Sequence, residues 1–243
     1  MFPLAASVQV RRPPLVTMVL IGINVAVFFV EAMLPPDALE HLMRLFGVVP
    51  AYYSRPDLVT NFPVPLWLPL FTSMFLHGGF AHILGNMWTL WIFGPAIEDR
   101  MGPWRYAAFY ILCGLAAAVA HIVLNADSTV PTIGASGAIS GVMGAYYVLY
   151  PHARIVVMIP IFFYPFLFTL PAITYLGWWL LIQLFSGVAS LAGSAAVGGI
   201  AFWAHVGGFV AGMTLLWPFL QPRRLRRPPQ LDERSLEHAW HGW

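Results

Sequence analysis

Residues 129–151 read TVPTIGASGAISGVMGAYYVLYP. The stretch is apolar enough to enter a membrane, yet Gly134, Gly137, Gly141 and Gly144 crowd into it, and Ser136 and Ser140 stand among them. Gly137, Gly141 and Gly144 follow the spacing i, i+4, i+7, so on a helix they share one face. Small residues at such spacing let two membrane helices approach backbone to backbone. The stretch is read as a helix over about 134–150, packed closely on a partner, with a hydroxyl near its start. The partner must carry a matching stripe, and Gly208 and Gly212 supply one in the last apolar run of the chain.

The surrounding composition agrees with a membrane setting. Of 243 residues, 59% are hydrophobic and only 9% charged, and the mean hydropathy is +0.74. A soluble domain is about one quarter charged. The expected fold class is an all-α polytopic membrane protein with six spans and a long membrane-associated first loop. A span needs about 20 mostly apolar residues. Candidates lie at about 15–34, 80–97, 104–124, 134–150, within 155–186, and at 198–220. The fifth run is too long for one straight span and carries Pro160, Pro165 and Pro171, so its first third is read as interfacial or kinked. Residues 35–79 form a Pro- and Trp-rich connection, and connections of that length are usually functional or partly structured.

Basic residues set the orientation. The chain has no lysine, and all twelve basic residues are arginine. Arg11, Arg12, Arg100, Arg105, Arg154, Arg223, Arg224, Arg226, Arg227 and Arg234 fall on one side of a six-span layout; only Arg44 and Arg55 fall on the other. Both termini are therefore expected in the cytoplasm, with loops 125–133 and 187–197 outside. The division is a cytoplasmic segment 1–14, a six-span domain 15–220 and a cytoplasmic tail 221–243. The start, MFPLAASVQVRRPP, lacks the pattern of a removable signal peptide. A single cysteine, Cys113, excludes an intrachain disulfide. No basic stripe suggests nucleic-acid binding.

Ionisable groups inside spans are costly and are functional candidates. His82 and Asn86 lie i, i+4 near the start of the second span, Ser136 near the start of the fourth, and His205 near the start of the sixth. In this layout those three helices run from outside to inside, so the four side chains share one depth. The glycine stripes would bring Ser136 and His205 together. A serine becomes a useful nucleophile when a base takes its proton. His82, Asn86 and the backbone N–H groups at the helix start could stabilise an oxyanion. No carboxylate neighbours His205 in sequence, so the pattern reads as a dyad. Other uses remain open at this point. Gly stripes alone mean packing, and the histidines suit a proton relay in a transporter or a binder without chemistry. Ser140 fits a hydroxyl bonded back to its own helix, His121 fits a structural role, and His77 fits an entry loop or packing position.

Three blocks resemble the rhomboid family of intramembrane serine proteases: HGGFAHILGN at 77–86, GASGAISG at 134–141 with its GxSG, and AHVGGFVAG at 204–212. The resemblance covers about residues 15–220. It implies Ser136 as nucleophile, His205 as general base, and His82, Asn86 and the Ser136 amide as the oxyanion hole, with Gly134 keeping the approach open. It implies transmembrane protein substrates cut near their outer ends, the lipid bilayer as the setting, and no metal or cofactor. The fifth span and the loop 187–197 would be gate and cap. Arginine usage without lysine adds the expectation of a bacterial inner membrane; oligomeric state is not set. Two departures stand out. Trp67, in LWLPLFTSM, is not followed by the arginine many relatives carry, and Ser140 replaces an aromatic that some relatives place under the histidine. His205 then needs support from Trp203, Phe202 or another span.

Overall fold

A computed structural model of the chain describes residues 1–60, 62–161, 164–192 and 201–222. The tail arginines Arg223, Arg224, Arg226, Arg227 and Arg234 and residues 193–197 of the expected outer loop lie outside the described residues, whereas 187–192 of that loop belong to the last helix before it. The long helices are α1 (Leu15–Met33), α5 (Phe80–Met101), α6 (Pro103–Leu124), α7 (Ser136–Leu149), α8 (Ala172–Ala192) and α9 (Phe202–Phe219). Between α1 and α5 lie three shorter ones, α2 (Pro36–Phe46), α3 (Ala51–Ser54) and α4 (Pro69–Thr72). Among the described residues, three helices are long and apolar enough by length and composition to cross a membrane: Leu15–Met33, Pro103–Leu124 and Ala172–Ser190.

Local chemistry explains the boundaries. Gly102 takes φ +80° directly after α5, and Pro103 opens α6, so a single residue reverses the chain. Helix α2 has Pro36 in its first turn, Asp37 at its positive end and Arg44 at its negative end. Helix α1 has no cap of its own, because Pro14 precedes it. Glu98 of α5 supplies one, accepting from the Val16 amide (2.8 Å), the Thr17 amide (2.9 Å) and the Thr17 hydroxyl (2.8 Å). Glu98→Ala leaves those buried donors unpaired and should cost about 2 kcal/mol or more. Thermal unfolding in detergent measures this, and a wild-type melting temperature would show that the start of α1 is held otherwise.

The expected all-α class is corrected by a three-stranded antiparallel sheet: β1 (Phe2–Ala6), β2 (Arg154–Ile161) and β3 (Tyr164–Pro171), in the order β1-β2-β3. The first part of the expected fifth span is thus a hairpin, and the helix begins only at Ala172. Prolines and β-branched residues decide this. Ile155, Val156, Val157 and Ile159 suit a pleated surface, and Pro160 and Pro165 would break a helix. They are tolerated in the sheet because they face each other across β2 and β3, beyond Met158, where the pairing of β1 stops. Residues 2–6 of the expected N-terminal segment are therefore built into the fold. The Trp88 indole of α5 donates to the Pro3 carbonyl at 2.6 Å.

The helices pack through glycine, with one change from the expected pairing. Helix α9 lies on α7 backbone to backbone: a Cβ at Gly208 would strike the Gly137 carbonyl, one at Gly212 the Gly141 carbonyl, and one at Gly144 the backbone of Phe209. The side of α7 at Gly137 and Gly141, however, also faces α6, where the nearest atoms are Ala117 Cβ and the Cys113 side chain. The glycine face of α7 serves two partners. At the opposite end of the bundle from the start of α7, arginines tie helix ends together. Arg100 donates to the Tyr150 hydroxyl (2.8 Å) and Arg105 to the Leu220 carbonyl (3.0 Å).

Candidate active site

Ser136 is the first residue of α7. The chain reaches it through Gly134, whose φ of +123° strains any residue with a side chain. The approach is held from outside the helix. The Gly134 amide donates to the Ser73 carbonyl (2.8 Å), and Val48 and Thr132 exchange backbone bonds of 2.9 and 2.7 Å. The long connection after α1 thus braces the strand-like entry to α7. His121, at the end of α6, pins the same entry through Thr132 Oγ1 (2.8 Å), with Asn125 beside its other nitrogen (3.3 Å). That fits the structural role expected of it.

Helix α9 brings His205 to the serine. His205 Nε2 lies 2.8 Å from Ser136 Oγ. The seam of Gly208 on Gly137 fixes this spacing, since Gly137 directly follows Ser136 and Gly208 lies one turn after His205. Ser140, one turn below Ser136, donates its hydroxyl to the Ser136 carbonyl (2.6 Å), so it is bonded back to its own helix and faces no base.

His82 and Asn86 come from α5 and converge on the turn before the serine. A Cβ at Gly134 would lie 2.7 Å from His82 Nε2 and 3.5 Å from Asn86 Nδ2. A side chain there would fill the space between these two residues and the turn that carries Ser136. Asn86 is itself oriented by His77. Burial, with His82 alongside, lowers the His77 pKa to about 4, so its ring is neutral. The Phe75 carbonyl lies 3.3 Å from His77 Nδ1 and can only accept, so that nitrogen carries the proton. His77 Nε2 then accepts from Asn86 Nδ2 at 3.0 Å. The single N–H of the His77 amide is shared between both carboxylate oxygens of Glu31, near the end of α1, at 3.1 Å to each. The sequence signals for this support were the lone carboxylate of an apolar helix, Glu31, and a histidine five residues before His82.

The support of His205 comes from another span, α8, rather than from Trp203 or Phe202. Gln183 Oε1 is 2.8 Å from His205 Nδ1, and the Trp179 ring lies against the imidazole at 5.8 Å between centroids, inclined by 38°. Trp203 instead packs against Gly187. Gln183 was discoverable as the lone amide in the run WWLLIQLF. A cavity of about 30 Å³, room for a water molecule, borders Ser136, Ser73, Thr132 and His121. Its walls among the described residues are α6, α7, the start of α9 and the long connection. Among the described residues, no three His, Cys, Asp or Glu side chains converge as a metal set would.

A hydroxyl at a helix start, an imidazole within hydrogen-bond distance of it and polar side chains around the preceding turn match the nucleophile arrangement of acyl transfer. The family model of the Rhomboid domain matches residues 65–222. The chain belongs to the rhomboid family.

This rhomboid is similar to Rhomboid protein 1, mitochondrial, of Saccharomyces cerevisiae, 28% identical over 205 residues, 82% of this chain and 51% of that protein. It is 33% identical over 115 residues to the putative rhomboid protease YdcA of Bacillus subtilis, 45% of this chain and 57% of that one. It is 30% identical over 144 residues to the rhomboid protease AarA of Providencia stuartii, 53% and 48% respectively. The chain thus spans about half the length of these curated relatives. Family and apolar helices together make it an integral membrane protein.

Proposed function

We propose that this rhomboid is an intramembrane serine endopeptidase that cuts membrane-protein substrates in or near their transmembrane segments. The observation that carries the reading is the 2.8 Å contact between Ser136 Oγ and His205 Nε2. Ser136 attacks the scissile carbonyl while His205 Nε2 takes its proton. The negative charge that develops on the carbonyl oxygen meets the Ser136 amide at the positive end of α7, with His82 and Asn86. Collapse of this adduct expels the amine, which receives the proton from His205. Water, activated by His205 in the same way, then releases the acyl group from Ser136.

The proposed topology is six spans, α1, α5, α6, α7, α8 and α9, with both termini cytoplasmic and the dyad opening to the outer side of a bacterial inner membrane. The length of α7 suits this. Its 14 residues rise about 21 Å, short of the roughly 30 Å hydrocarbon core. A helix this short leaves room for its start to lie below the outer surface, where entering chain rather than lipid surrounds it and water can reach the half-buried Ser136.

The test combines labelling and turnover. A fluorophosphonate should attach to the solubilised protein at Ser136, located by peptide mass spectrometry. A single-pass membrane protein reconstituted with it in liposomes should be cleaved. A folded protein that takes no label and cleaves nothing overturns the reading and favours a binder or transporter on the same scaffold. Within the reading, His82→Ala and Asn86→Ala should each lower kcat by about 10- to 1,000-fold, with KM nearly unchanged, because their donors act mainly on the developing charge. Wild-type kcat in both variants would leave the oxyanion to backbone donors alone.

A further inference from the structure

We propose that Gln183 is a positioning residue that holds His205 in the tautomer able to accept the proton of Ser136. The inference rests on the proteolytic reading and adds a third member to the pair. A neutral imidazole carries one proton, on Nδ1 or on Nε2. Only the form protonated on Nδ1 leaves a lone pair on Nε2, and that lone pair is what Ser136 Oγ–H must meet at 2.8 Å. The partner of Nδ1 chooses between the two forms. Gln183 Oε1 sits 2.8 Å from Nδ1 and can only accept, so it selects the productive one. The side chain is buried, 8% exposed, so water competes poorly for the same nitrogen.

The second observation is the other neighbour of the imidazole. Trp179 lies one turn before Gln183 on α8, and its ring rests against both His205 and Phe209 (centroids 5.8 and 6.0 Å). Amide and indole therefore constrain the same ring, the first through its edge and the second through its face. Ser140 occupies the place on α7 from which an aromatic would otherwise do this, and its hydroxyl is engaged with its own helix. The device comes wholly from α8, so the orientation of the base depends on where α8 stands.

The experiment compares Gln183→Met and Gln183→Glu with wild type, using cleavage of the reconstituted single-pass substrate. Methionine keeps the length and removes the acceptor, whereas glutamate keeps the acceptor and cannot donate while ionised. Gln183→Met should lower kcat about tenfold or more with KM unchanged, a share of the 100- to 10,000-fold that a well-placed base contributes. Gln183→Glu should recover most of that loss. A purely packing role for Gln183 predicts the reverse, because methionine fits an apolar site better than a carboxylate does. Equal kcat in wild type and Gln183→Met, or a glutamate variant slower than the methionine one, overturns the assignment while leaving Ser136 and His205 in place. Wild type without any Ser136-dependent cleavage overturns the proteolytic reading and the role of Gln183 with it.

Discussion

Ser136→Ala, His205→Ala and the double variant should all lose proteolysis to the same background, a fall of roughly three to six orders of magnitude in kcat. The equality matters more than the size. An alcohol at neutral pH is a poor nucleophile, and an imidazole with no hydroxyl to deprotonate contributes little to peptide hydrolysis, so either loss removes the whole pathway. Once Ser136 is gone, removing His205 should cost nothing further. Folding should survive, because the helix start does not depend on the serine hydroxyl. Ser140 donates to the Ser136 carbonyl, which alanine also has, and the Gly134 amide bond to Ser73 is backbone only. Cleavage assays with a melting-temperature control measure this. Independent, additive losses would mean that the two residues act in separate steps, and the 2.8 Å contact would then be a structural bond.

The pair was legible because membrane helices expose their partners in sequence. Close approach requires small residues at helical spacing, so Gly208 and Gly212 could be matched to Gly137 and Gly141, and the depth of Ser136 and His205 followed from the direction of their helices. Asn86 and His82 were legible because i, i+4 places them on one face of α5. Gln183 was not legible because, unlike Asn86, it has no histidine at helical spacing on its own helix to mark a shared face. Its importance comes from a bond across helices that no local pattern encodes. Glu31 was passed over for a different reason: it lies beside PPD at the edge of α1, where a carboxylate reads as a surface residue, although it is 2% exposed and folded onto His77. The sheet was missed because hydropathy measures the avoidance of water and not the shape of the backbone. Residues 155–171 are as apolar as a span, and only their prolines and β-branched residues showed otherwise. The strand Phe2–Ala6 had no signal at all, since five small or apolar residues become a strand only when β2 offers an edge.

Gly212→Ala should destabilise the protein, whereas Gly22→Ala should leave it unchanged or slightly more stable, and the opposite signs test the helix seam. Alanine is favoured over glycine in a helix by about 0.5–1 kcal/mol, so the substitution is intrinsically favourable at either site. Around Gly22 of α1 an added Cβ meets nothing within 4 Å, and that preference is expressed in full. At Gly212 the added carbon meets the carbonyl oxygen of Gly141, with the carbonyl carbon and Cα both at 2.6 Å. These are backbone atoms in the middle of α7, so no side chain can turn aside and the helices must separate. The strain should reach the upper part of the roughly 1–3 kcal/mol seen for overpacking, and it outweighs the helical preference. Gly208→Leu acts by the same contact one turn nearer the dyad, on the Gly137 carbonyl, and should also stop cleavage by carrying His205 away from Ser136. Gly141→Leu differs, because its first obstacle is Cys113 of α6 (Sγ at 2.5 Å), so it should loosen α6 from α7 before it disturbs α9. Melting temperatures of the four variants, with kcat for those that remain folded, separate these effects. A Gly212→Ala protein as stable as Gly22→Ala would mean that α9 does not rest on α7 through its backbone, and the delivery of His205 to Ser136 would need another cause.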